Sequence, residues 1–166
     1  MGYRVFFTLA GLFVAAALAT TSETTSATTA SNPFDQLNGD WKGSGTILLS
    51  KGEPKKVTCQ VTYKAVGSNI SQNLHCTGND YEVNTTLKLT YKGGRIKGSW
   101  NESVYDANGA VTGSAKDNTI HALIAGDKFS GRMSIKVSNA GHTINVLQRD
   151  EKSGIYRLAT SLSLQR

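Results

Sequence analysis

The sequence predicts an all-β protein: a single antiparallel up-and-down β-barrel of about ten strands, held by one disulfide. Three observations carry this expectation. After Pro33 the chain alternates apolar and polar residues with period two, the mark of a half-buried antiparallel sheet. Gly-, Asn- and Asp-containing clusters interrupt the alternation where tight turns would sit. One hairpin register also sets the only two cysteines opposite each other.

The N-terminal segment precedes this pattern. Arg4 and the apolar run "VFFTLAGLFVAAALA", Val5 to Ala19, have the basic start, apolar centre and small-residue end of a secretory signal peptide. The run is shorter than the roughly 20 residues a membrane-spanning helix needs, so residues 1–19 are expected to be cleaved after Ala19. Residues 20–32, "TTSETTSATTASN", have almost nothing to bury and read as a disordered Thr/Ser-rich linker. Residues 33–166 form the barrel domain, long enough for a core of its own.

Within that domain the only helical candidate is a single turn at "FDQLN", Phe34 to Asn38. Ten strand-like runs follow, at about 41–50, 55–66, 69–77, 81–91, 95–105, 110–116, 119–125, 128–138, 142–150 and 155–164. In the second run Val57, Cys59, Val61, Tyr63 and Ala65 share a face. A two-residue turn at Gly67-Ser68 then pairs Ala65 with Ile70, Tyr63 with Gln72, Val61 with Leu74 and Cys59 with Cys76. Non-hydrogen-bonded cross-strand pairs lie about 4.5 Å apart at Cα, within reach of a disulfide. Oxidised pairs belong to oxidising compartments.

The same logic around Gly93-Gly94 pairs Tyr91 with Ile96, Leu89 with Gly98, Leu87 with Trp100 and Thr85 with Glu102. A turn at Gly126-Asp127 would pair Ile124 with Phe129, Ala122 with Gly131 and Ile120 with Met133. Asn108-Gly109, Asn139-Ala140-Gly141 and Lys152-Ser153-Gly154 mark further turns of open register. With every connection short, strands adjacent in sequence should be adjacent in space. A meander of ten removes its edges by closing.

In such a barrel Trp41 closes one end above "FDQLN", and Gly43 and Gly45 let the first strand bend. Tyr63, Gln72, Leu87, Trp100 and Glu102 point inward and are the candidate ligand-lining residues. An unpaired inward carboxylate is costly. Glu102 is therefore either a polar anchor for a ligand or a hydrogen-bonded or ion-paired structural group. Many inward positions are small: Ala65, Thr85, Gly98, Gly113, Ala115, Ala122 and Gly131. Either the barrel flattens into a packed sandwich or it keeps a cavity for a small apolar or amphipathic molecule.

No catalytic group is expected. His75 and His121 fall on the outward face, His142 lies beside a turn, and all three read as surface histidines without a relay partner. No metal-ligand spacing is present, and no cofactor is expected. The formal charge of +6 includes Arg4 of the leader. The excess suits anionic surfaces generally, and without an arginine-rich tract or aromatic-basic signature nucleic acid is not an expected partner. Lys88, Lys92, Arg95 and Lys97 cluster on one hairpin as a solvated outer face.

Several resemblances sharpen these expectations. The Gly-x-Trp start is similar to barrels of the lipocalin-like superfamily, and "GDWKGSG" resembles the Gly-x-Trp-x-Gly-x-Gly opening of nitrobindins, ten-stranded haem-binding barrels. That likeness implies a haem-ligating histidine on a late strand, and the last run, "IYRLATSLSLQR", has none. "GDWKGSGTILLS", the Cys59 and Cys76 pair, "GGRIKGSWNES" and the terminal Leu164-Gln165-Arg166 resemble uncharacterised small secreted proteins of α-proteobacteria, of the rhizobial type. The Gly-x-Trp opening and early disulfide are also similar to periplasmic protease-inhibitor barrels.

Together these readings predict an exported protein, periplasmic or extracellular, monomeric and not an enzyme, that acts by binding a small hydrophobic ligand. The alternative is a periplasmic protease inhibitor or envelope-interaction protein, whose partner is a protease or an envelope component.

Overall fold

The computed structural model describes residues 32, 34–48 and 52–166. The expected signal peptide and all but Asn32 of the expected linker lie outside the described residues. Ten strands follow in order: β1 (Gly39–Ile47), β2 (Lys55–Val66), β3 (Asn69–Thr77), β4 (Glu82–Lys92), β5 (Arg95–Glu102), β6 (Ala107–Lys116), β7 (Thr119–Gly126), β8 (Ser130–Ser138), β9 (Gly141–Arg149) and β10 (Tyr156–Gln165). Each pairs antiparallel with its sequence neighbour, and β1 pairs with β10, so the sheet closes into an up-and-down barrel.

The β2–β3 register is the expected one: Val66 faces Asn69, Tyr63 faces Gln72 and Cys59 faces Cys76. The two sulfurs are bonded, with Cα atoms 4.1 Å apart. A disulfide fits an oxidising compartment. Among the described residues no helix is long and apolar enough to cross a membrane, which says nothing of strands.

Two turns differ from expectation. Asn108-Gly109 is not a turn; it lies within β6, with Asn108 opposite Asn101 and Gly109 opposite Trp100. The β5–β6 connection is the four-residue segment 103–106, ending on Asp106 at φ 49°. The β7–β8 loop also runs through Phe129, so Ile124 faces Gly131, Ala122 faces Met133 and Ile120 faces Ile135, two residues from the expected pairing. Inward parity survives, because a shift of two keeps every side chain on its face. Nor is "FDQLN" helical: Phe34–Leu37 form a turn in which Leu37 N donates to Phe34 O at 3.1 Å.

The two ends of the barrel are unlike. Connections β2–β3, β4–β5, β6–β7 and β8–β9 are two-residue turns at one end, while those at the other are all longer. The tight end is plugged. Phe34 and Leu37 are fully buried there, Trp41 Nε1 donates to Leu37 O at 2.6 Å, and the Arg166 guanidinium stacks over the Trp41 ring at 4.6 Å. Gly43 and Gly45 lie on the β1–β10 seam. A Cβ on Gly43 would strike the carbonyl of Ser163, and one on Gly45 that of Ser161. They are small so that two strands can approach, and the seam closes where they do.

Candidate functional site

With one end plugged, the barrel interior opens toward the long loops as a cavity of about 420 Å³. Its wall is mostly aliphatic and aromatic, with Leu87, Trp100, Ile124, Met133, Ile144 and Leu162 presented by β4, β5, β7, β8, β9 and β10. Alternation along each strand places them there, since every one shares the inward face of its neighbour's partner. The flattened, filled sandwich that the small inward residues allowed does not occur.

Those small residues are not the source of the space. Of the seven, only Thr85 lines the cavity. A Cβ at Gly98 would meet Lys88 O, and one at Gly113 would meet His121 O. Inward glycines here mark close backbone approach, and the void lies instead toward the long-loop end, which none of the described residues plugs.

Four of the five expected lining residues, Gln72, Leu87, Trp100 and Glu102, line this cavity. Tyr63 does not. It is buried at the plugged end, where its hydroxyl lies 3.2 Å from His142 Nε2. Trp41 belongs to the same cluster, packed edge-on against His142 with ring centroids 4.5 Å apart.

Glu102 has its acceptor capacity engaged by the backbone. Oε1 accepts from Asn84 N at 2.8 Å and Val104 N at 3.1 Å, and Oε2 accepts from Tyr105 N at 2.6 Å. The carboxylate thereby satisfies amides of the β5–β6 turn and the edge of β4, the resolution that a buried acid requires. Its geometry is that of a structural group in the cavity wall. Trp100 presents its ring rather than its nitrogen: the indole N–H is fully buried without a protein partner among the described residues, and the ring edge lies against Gly126.

His142 corrects the expectation of three surface histidines. It is 2% exposed, between Trp41 and Tyr63, and burial lowers its pKa to about 4. Burial likewise raises the Tyr63 phenol well above its ordinary value, so the pair meets as neutral groups. Nothing in local sequence separates His142 from a turn histidine. The signal was its even position on the inward face of β9, shared with Ile144 and Val146. His75 is exposed, 3.4 Å from Glu82, and His121 is exposed.

Beyond the cavity, the β9–β10 loop and the β7–β8 loop frame a vestibule of about 570 Å³ carrying Lys128, Arg149, Lys152 and Arg157. The cation cluster visible in the sequence, Lys88, Lys92, Arg95 and Lys97, lies exposed on the outside of the β4–β5 hairpin, as a solvated face would. Arg149, Lys152 and Arg157 come from the β9–β10 hairpin and Lys128 from the β7–β8 loop, and pairing of β8, β9 and β10 brings them together.

The nitrobindin likeness implies a histidine-ligated haem, and the residues lining this cavity do not supply that ligand. No histidine or cysteine lines the cavity, and β10 has no histidine. Among the described residues no cluster of His, Cys, Asp and Glu could hold a metal.

No protein-family model and no curated protein matches the chain, so the likeness to secreted α-proteobacterial proteins rests on the quoted residues alone. Solved structures do share its fold. The crystal structure of Rv2717c from M. tuberculosis aligns with a TM-score of 0.66 at 11% identity, covering 83% of this chain and 99% of its own. The S-type phycobiliprotein lyase CPES from Guillardia theta aligns with a TM-score of 0.56 at 14% identity, covering 80% and 88%. At such identities the likeness shows the fold alone, a closed antiparallel barrel that fits the lipocalin-like expectation. It also overturns the expectation of a non-enzymatic protein: a chain with this architecture is a lyase, so neither the barrel nor the lack of a familiar triad argues against catalysis. The protease-inhibitor or envelope-interaction alternative assigns the contact to residues 20–32 or to barrel loops; of residues 20–32 only Asn32 is among the described residues.

Proposed function

We propose that the chain is an exported barrel, periplasmic or extracellular, that binds a small hydrophobic ligand in its interior. Leu87 and Trp100 would supply apolar contact, Gln72 a polar one, and Glu102 would hold the surrounding wall. One observation carries the reading: a mainly apolar cavity of about 420 Å³, open at one end of an otherwise closed barrel. Small-molecule sites are commonly concave, largely apolar and about 300–1,000 Å³ in volume. The disulfide supports export, as does the leader-like N-terminus.

The test is native mass spectrometry of protein taken from its own export compartment, together with titration of an apolar fluorescent probe. Retained small-molecule mass, or saturable probe binding that quenches Trp100 fluorescence in a Trp41→Phe background, supports the reading. Bare polypeptide and no probe uptake would end it.

A further inference from the structure

A β-bulge decides which side chains of β10 face the mouth of the cavity. Leu164, Leu162 and Thr160 stand opposite His142, Ile144 and Val146, all inward. Strict alternation would continue the inward face through Leu158 and send Arg157 outside. The register instead shifts between Leu158 and Thr160. Arg157 then stands opposite Gln148, which lines the cavity, while Leu158 stands opposite Leu147 and is 52% exposed. Bulges re-aim the residues beyond them and are over-represented at barrel rims. Here one turns a leucine out and a guanidinium toward the opening.

Cavity and vestibule adjoin, sharing Leu48, Lys128, Phe129, Gln148 and Ala159 in their walls. The vestibule's cations outnumber its two acids, Asp150 and Glu151. Asp150 is committed to its own turn: Oδ1 accepts from Lys152 N, Ser153 N and Ser153 Oγ. Lys128 reaches across to Asp106 at 3.4 Å. Among the described residues the only ion pairs are that one and His75–Glu82, so Arg157 faces the opening with no carboxylate in ion-pair contact, Asp150 lying only near enough to feel its charge.

We infer that the ligand is a single-chain anionic amphiphile, with its aliphatic tail in the cavity and its anionic head at the rim against Arg157 and Lys128. This rests on the cavity reading above and adds the chemical class. A guanidinium offers the planar pair of donors that suits a carboxylate. The cavity's size, near the low end for small-molecule sites, favours one chain over two.

The experiment measures displacement of the apolar probe by dodecanoate, dodecanol and dodecylammonium, at low and high salt. Dodecanoate should bind about five- to tenfold more tightly than dodecanol at low salt, with dodecylammonium the weakest. High salt should shrink the advantage, because the rim is exposed. From octanoate to dodecanoate, affinity should rise roughly three- to fourfold per methylene. Arg157→Gln should bring dodecanoate down to the affinity of dodecanol and leave dodecanol unchanged, and Lys128→Gln should do so in part. If dodecanoate and dodecanol bind the native protein alike, or Arg157→Gln leaves the preference intact, the head-group assignment falls while the cavity reading stands. If the probe, the alcohol and the carboxylate all fail to bind, both fall.

Discussion

Glu102 and His142 are both buried inside an apolar barrel, and they meet that cost in opposite ways. Glu102 receives three backbone N–H bonds. Glu102→Gln replaces one accepting oxygen with a donor facing donors, and should lower unfolding stability by about 1–3 kcal/mol. Urea midpoints will show the loss, and probe titration should show little change in binding. His142 instead stays neutral, with its pKa held near 4 against about 6.5 when unfolded. As pH falls, the unfolded chain takes up the proton first, so this contribution is whole above pH 6.5 and is lost progressively toward pH 4. The loss amounts to roughly 3 kcal/mol at most. The difference in urea midpoint between native protein and His142→Phe should therefore change with pH across that window and flatten above it. Inwardness of Glu102 was legible from parity; that of His142 was not, because the register of the adjoining Asn139-Ala140-Gly141 turn was open and a histidine beside a turn reads as exposed. The partners of neither were legible, because Glu102 reaches a turn and His142 a strand that closure brings near.

At the scale of elements, the Gly67-Ser68 and Gly93-Gly94 hairpins were readable because two flanking runs of clear alternation admit one register. Asn108-Gly109 misled because Asn-Gly is a strong local hairpin signal, whereas Gly109 serves a distant need. A Cβ there would strike the carbonyl of Ala125 on the neighbouring strand. The β10 bulge was equally hidden, since a leucine at the expected inward position gives no local warning. The disulfide joins directly paired strands across 17 residues of chain. Replacing Cys59 and Cys76 together with alanine should cost about 3 kcal/mol. Both sulfurs are fully buried, so guanidinium unfolding of native and double-variant protein is a cleaner comparison than adding reductant.

At the scale of the molecule, barrel closure followed from short connections, but the cavity did not follow from residue sizes. It exists because one end receives Phe34, Leu37 and Trp41 and the other does not, an arrangement set by which end the first strand begins from. The β1–β10 seam carries a further consequence. Every other strand meets a partner that is its immediate successor, so nine of the ten pairings can form as the chain is made. The seam alone must wait for the opposite extreme of the meander, and its loop-closure entropy comes due all at once. Until it forms, two raw sheet edges stand open to other chains. A folding copy of this protein is therefore most vulnerable to mispairing just before β10 docks on β1, and slow docking would lengthen that exposure.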